Sequence, residues 1–234
     1  MLRIENLHAG YGGLTILHGV TMEVPAGKIV CIIGANGSGK STIFKTIFGL
    51  VRAGTGSRIS FNGHDLTNRR PNQIVREGIS YVPQGRSIFR NLTVEENLLM
   101  GAYIRTDRKI QDDIGRIYEM FPVLRTRRKV AAAALSGGEQ QMLVMGRALL
   151  LNPGLVLLDE PSLGLEPRFT ALVFETIRAI NRDGKAIFII EQNARGALAI
   201  ADYAYVLDLG QVRFEGTPQA ILDNQEVQKL YLGG

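Results

Sequence analysis

The chain has 234 residues, 45% apolar and 21% charged, which excludes a disordered polymer and leaves ample length to bury a core. Lysine and arginine number 27 against 22 aspartate and glutamate, and the net charge of +5 suits an anionic ligand while being modest for a nucleic-acid coat. A single cysteine, Cys31, excludes a disulfide framework or a cysteine-rich zinc site within one chain, and no run of about 18 apolar residues offers a membrane span.

Residues 1–30 carry Arg3, Glu5, Glu23 and Lys28 without a continuous apolar core or a small-residue cleavage pattern. No secretory signal is therefore expected, and a reducing cytosolic setting fits. The same residues read as short strands with glycine turns, and together with residues 57–63 they are expected to form an antiparallel flap. Residues 28–34 (KIVCIIG), 155–159 (LVLLD) and 186–191 (AIFIIE) are uninterrupted apolar runs, the pattern of strands buried on both faces of a parallel sheet. From about residue 91 to 152 the pattern turns helical, with Thr93 and Glu96 as a capping box and a basic run at 125–129. That run reads as a solvated face, with attraction to anionic lipid headgroups as its alternative. Over residues 168–181, Phe169, Leu172, Val173, Thr176, Ile177 and Ile180 recur at helical spacing, and Asp183-Gly184 ends the helix. No repeat or low-complexity linker separates these parts, so one body is expected over 1–234.

Residues 34–41 (GANGSGKS) follow one of the buried strands and precede a helical pattern, the context a phosphate-binding loop of type G-x-x-x-x-G-K-[ST] requires. Its glycines let backbone N–H groups converge on phosphate oxygens, and the helix N-terminus adds partial positive charge. Gly34, Asn36, Gly37, Ser38, Gly39, Lys40, Ser41 and Thr42 are the candidate nucleotide-binding residues, Lys40 reaching the outer phosphates and Ser41 holding Mg²⁺. The strand at 155–159 ends in Asp159 and Glu160 at the carboxyl edge of the sheet, where ligands sit. Asp159 would serve Mg²⁺ and Glu160 would polarise a water for in-line attack; the bland alternative makes both the start of a solvated loop. His8, His18 and His64 have no metal-ligand spacing, and Cys31 reads as a small buried residue.

Residues 135–141 (LSGGEQQ) contain a second capping box, Ser136 with Glu139, but capping alone does not require Gly137 and Gly138. Two glycines and a serine at a helix start make a second anion cradle, useful to a chain that meets another chain's nucleotide. With Leu135, Ser136, Gly137, Gly138 and Glu139 in place, the sequence resembles the ATP-binding subunits of ABC transporters along its whole length. The resemblance implies an α/β fold: a P-loop NTPase (RecA-like) core with a parallel sheet, an N-terminal antiparallel β sub-domain and an inserted α-helical signature sub-domain. Residues 1–90 and 153–234 would form the nucleotide-binding core and 91–152 the helical part. It further implies ATP and Mg²⁺ as cofactors, and two subunits paired head to tail with each ATP between one phosphate loop and the other signature. Tyr11 resembles the residue that stacks on adenine; Gln84 resembles the glutamine that touches Mg²⁺ or the attacking water, in a loop that receives a helix of the membrane subunit. Glu160, Gln192 and Gln84 are thus the expected catalytic residues, and Ser41, Gln84 and Asp159 the expected metal residues.

The stretches at 85–98 and 159–165, and the ending from 216 to 233, resemble one subgroup: the shorter ATPase of branched-chain amino acid importers. Such importers are similar in using a second, different ATPase, two membrane permeases and a substrate-binding protein, which implies a heterodimer, with a homodimer as the alternative, at a peripheral place on the cytoplasmic face of the membrane; no nucleic-acid partner is expected. Relatives that handle urea and amides, and exporters of lipid or polysaccharide, stay open as alternatives. DNA-associated ABC ATPases usually separate the two motifs by long coiled coils or zinc modules, whereas only about 95 residues intervene here. Two positions depart from the family. Gln192 stands where many members carry a switch histidine, and an amide cannot become a cation, so a slower or less pH-dependent site is expected. Glu166 stands where the loop after the second carboxylate usually has aspartate.

Overall fold

Two sheets share the chain, and a computed structural model describes them over residues 1–231. Leu232 and Gly233, the end of the C-terminal stretch quoted above, lie outside the described residues. Strands β1 (Leu2–Tyr11) and β2 (Leu14–Val24) pair antiparallel around Gly12 and Gly13. After β3 (Ile29–Ile33) and helix α1 (Lys40–Ile47), strands β4 (Arg58–Phe61) and β5 (His64–Asp65) complete a four-stranded flap ordered β2-β1-β4-β5. The expectation of short strands is corrected here: β1 and β2 run for 10 and 11 residues. Register shifts between Ile4 and Leu7, Leu7 and His8, and Ala9 and Gly10 let the pair continue past irregular positions instead of ending there.

The second sheet has the order β10-β9-β3-β8-β7-β6. Its members are β3, β6 (Ile79–Val82), β7 (Leu155–Asp159), β8 (Ala186–Ile190), β9 (Tyr203–Asp208) and β10 (Gln211–Gly216). Strands β9 to β6 are parallel, and β10 pairs antiparallel with β9 at the edge. Every residue of β3, β7 and β8 is buried, and alternate side chains feed two separate cores. Val30, Ile32, Leu157 and Phe188 pack with the flap and α1, whereas Cys31, Ile33, Leu158 and Ile189 pack with the helices of the opposite face. The Cys31 thiol belongs to this packing: burial pushes its pKa up to about 12, which removes thiolate character at neutral pH.

Helix α2 (Pro71–Arg76) precedes β6; between β6 and β7 lie α3 (Val94–Gly101), α4 (Ile110–Met120), α5 (Pro122–Thr126) and α6 (Gly137–Leu149). Both expected capping boxes form: the Thr93 and Ser136 N–H groups donate to Glu96 and Glu139 Oε2, each at 2.7 Å, and both side-chain oxygens accept from the backbone three residues on. Fully buried Asn97 ties α3 to its entry loop, accepting from Phe89 N–H and donating to the carbonyls of Phe89, Leu92 and Thr93. The basic run 125–129 is exposed, as expected of a solvated face, and its Arg127 pairs with the Glu139 carboxylate at 3.1 Å. Helices α7 (Pro167–Arg182), α8 (Ala194–Leu198), α9 (Pro218–Asp223) and α10 (Gln225–Tyr231) complete the described residues. None of these helices is long and apolar enough to cross a membrane.

Candidate active site

The loop after β3 ends at Gly39, whose left-handed backbone (φ 104°) N-caps α1 without a side-chain bond and with no acid in the first turn. The first N–H groups of α1 therefore point at the loop without a local carboxylate to satisfy them. Lys40 folds back into this hollow and donates to the carbonyls of Gly34 (2.9 Å) and Ala35 (2.8 Å). Burial lowers its pKa, opposed by the nearby charges of Glu160 and Asp159. Ser38 Oγ is buried and has no hydrogen-bond partner among the described residues. An uncapped helix start, a desolvated ammonium and an orphaned hydroxyl together fit a phosphate-bearing ligand. The cavity above them, about 380 Å³, is lined by Tyr11, Ile16, Asn36, Gly37, Gly39, Lys40, Ser41, Thr42, Gln84 and Glu160.

The carboxylates meet this cavity from β7. Asp159 is buried; its Oδ1 accepts from Ser41 Oγ and its Oδ2 from Tyr81 OH, both at 3.0 Å. Burial raises the Asp159 pKa, opposed by these two donors and by Lys45 and Lys40. Tyr81 itself is held by edge and tilted contacts to Phe44 of α1 (6.2 Å) and to Phe48 just after it (5.2 Å), which fix the donor that orients Asp159. Glu160 adopts a left-handed backbone (φ 50°), unusual for a non-glycine residue, and its N–H donates to Ile190 O at 2.8 Å. That turn aims its side chain at the cavity, where Oε2 accepts from Gln84 Nε2 at 3.0 Å. Burial raises its pKa first; Lys40 opposes and Asp159 adds to the rise. Among the described residues no three His, Cys, Asp or Glu cluster as a metal cage. Ser41 and Asp159 nonetheless form an oxygen pair of the sparse kind Mg²⁺ uses beside phosphate oxygens.

The structure brings together Tyr11, the phosphate loop, Gln84, Asp159 and Glu160; it places Gln84 on Glu160 rather than on the Ser41–Asp159 pair. Gln192, exposed just beyond β8, does not line the cavity, and neither do Leu135, Ser136, Gly137, Gly138 or Glu139. Gly138 is packed under Phe169 of α7: a Cβ there would lie 2.3 Å from the ring. Sequence reasoning missed Tyr81 and Ile16, and also Glu191, whose buried carboxylate accepts from Ser162 N–H at 2.9 Å and anchors the turn after Glu160. Only Glu191 carried a signal, an acid ending an otherwise apolar strand.

This fold and cavity define a P-loop nucleotide-binding ATPase, with a helical region inserted between its phosphate loop and its carboxylates. The family model described as "ABC transporter" matches residues 17–163, more than half of the chain. The chain is 45% identical, over the full length of both chains, to the high-affinity branched-chain amino acid transport ATP-binding protein BraG of Pseudomonas aeruginosa. It is 41% identical to the probable branched-chain amino acid transport ATP-binding protein LivF of Archaeoglobus fulgidus, covering 100% of this chain and 99% of that one. To the lipopolysaccharide export system ATP-binding protein LptB of Escherichia coli it is 34% identical, covering 99% and 97%. Among solved structures, the ADP conformation of MJ1267, an ATP-binding cassette of an ABC transporter, superposes with a TM-score of 0.90 at 30% identity, covering 100% and 99%. The chain belongs to the ABC transporter family, as one of its ATP-binding, ATP-hydrolysing subunits.

Proposed function

We propose that this subunit energises uptake of branched-chain or related hydrophobic amino acids through partner permeases. It would sit at the cytoplasmic face of the membrane and pair with a second ATPase so that each ATP lies between one phosphate loop and the opposite signature. The observation that carries the solute class is end-to-end identity of 45% to a branched-chain amino acid transport ATPase, against 34% to a lipopolysaccharide export ATPase. The pairing is supported by the separation of the two cradles, since Ser136 is exposed and no signature residue reaches the chain's own cavity.

In this reading Tyr11, with Ile16 beside it, offers a surface for the adenine, while the α1 N-terminus and Lys40 bind the phosphates. Ser41 and Asp159 would hold Mg²⁺, which would supply charge neutralisation at the outer phosphates. Glu160 orients and deprotonates the attacking water, and Gln84 fixes the carboxylate through its amide. Gln192 would reach the terminal phosphate as a neutral donor only after a movement of the segment beyond β8.

The test is affinity purification of the tagged chain from gently solubilised native membranes with ATP present, followed by mass spectrometry and solute binding to the recovered binding protein. Two polytopic permeases, a second and longer ATPase, and a binding protein that takes leucine, isoleucine or valine support the proposal. An exporter-type membrane protein, a urea- or amide-specific binding protein, or DNA-associated partners would overturn it.

A further inference from the structure

Arg86 touches two segments that flank the site and belongs by its backbone to a third. It lies two residues beyond Gln84, whose amide holds Glu160. Its Nη2 donates to the carbonyl of Gly164, four residues beyond Glu160, at 3.2 Å. Its guanidinium rests on the first turn of α6, where a Cβ on Gly137 would come within 2.7 Å of both Cζ and Nη1. The chain from Gln84 to Arg86, the chain from Glu160 to Gly164, and two hydrogen bonds thus form a closed circuit laid against the signature turn. A side chain at position 137 would expel the guanidinium and open that circuit.

The guanidinium sits beside the positive end of the α6 dipole and its bond goes to a neutral carbonyl, so its charge has no matching anion in that bond. An anion arriving at Ser136–Gly138 would attract the guanidinium, and the Gly164 carbonyl competes with it for the same donors. We propose that Arg86 is a positioning residue that couples occupation of this chain's signature by the partner's nucleotide to the placement of Glu160 in this chain's own site. The proposal rests on the head-to-tail pairing given above. It has two states, Arg86 on Gly164 or Arg86 on the incoming phosphate, and each ATP site biases the choice.

The experiment uses the assembly purified through a tag on this chain and reconstituted in liposomes, with ATP hydrolysis measured against ATP concentration for wild type, Arg86→Ala and Arg86→Lys. Nucleotide affinity of the full chain alone is measured alongside. The wild type is expected to show a Hill coefficient above about 1. Arg86→Ala should lower kcat roughly ten-fold and bring the Hill coefficient to about 1. Affinity of the chain alone stays within about two-fold, because Arg86 does not line the cavity. Arg86→Lys, which keeps a charge without the fork, should recover part of kcat. An Arg86→Ala assembly that keeps wild-type kcat and cooperativity overturns the proposal, as does one that loses kcat while keeping the wild-type Hill coefficient, the behaviour of a purely structural residue. A non-cooperative wild type would remove the paired-site reading itself, and the proposal with it.

Discussion

The starts of α1 and α6 are both glycine-rich, yet their backbone donors are disposed differently. At α1 the N-cap is a left-handed glycine with no side-chain bond, the first turn has no acid, and a buried lysine waits on loop carbonyls. At α6 the protein completes its own cap: Ser136 Oγ takes the Glu139 N–H, Glu139 takes the Ser136 N–H, and Arg127 pairs with the same carboxylate. The first helix start is therefore left open toward the cavity, whereas the second is a self-capped helix end, with Gly137 under the Arg86 guanidinium and Gly138 buried against Phe169. In the proposed assembly the α1 end binds this chain's own nucleotide, and the α6 end acts when another chain supplies the phosphate.

Glu160→Gln breaks the comparison most severely. Loss of a positioned base should cost about 10²–10⁴-fold in kcat while nucleotide binding at the α1 end persists, which steady-state hydrolysis and a nucleotide titration check together. Burial raises the Glu160 pKa, so wild-type turnover should fall with decreasing pH through a value above the ordinary glutamate range. The sign for stability is the reverse. A carboxyl whose folded pKa exceeds its unfolded one contributes stability that is complete below the unfolded value and lost as pH rises through the folded value. The nucleotide-free Glu160→Gln chain should therefore melt above wild type at pH above the raised pKa, the gain vanishing below the unfolded value, which thermal unfolding at the two pH values checks.

Gly138→Ala comes next, and acts at the α6 end alone. The added methyl would meet the Phe169 ring at 2.3–2.7 Å, so the signature turn must shift. A displacement near 1 Å should lower kcat of the assembled transporter by about 10²-fold. Nucleotide affinity of the isolated chain should not change, because Gly138 lies outside the cavity. A weakened affinity in the isolated chain would mean that the two helix starts are coupled within one subunit.

Much of this division is legible in the sequence because its causes are local. A strand buried on both faces must be apolar at every position, so 28–34, 155–159 and 186–190 stand out, and the capping boxes at Thr93 and Ser136 are fixed by side chains three residues apart. The hairpin of β9 and β10 and the short β6 were illegible: β6 is four residues whose partner, β7, lies more than 70 positions away. The same non-locality hid Tyr81, whose role depends on Asp159, and Arg86, whose contacts lie at Gly137 and Gly164. Gln192 shows the converse limit, since its place in a family motif does not bring its side chain to the cavity.

The smallest expected effect is the sharpest discriminator, because α3 and α6 begin with the same device. Thr93→Ala and Ser136→Ala each remove a side-chain acceptor from a capping box and should each cost about 1 kcal/mol, read by denaturant unfolding of the chain. Thr93 faces no nucleotide in the proposed assembly, so turnover per folded molecule should stay at the wild-type level. Ser136→Ala should show the same loss of stability and, in addition, a several-fold lower kcat in the reconstituted transporter, since in the proposed assembly its hydroxyl would also donate to the partner's phosphate. Equal turnover in the two variants would reduce Ser136 to a helix cap, and the asymmetry between the two cradles would then lie in the backbone of Gly137 and Gly138 alone.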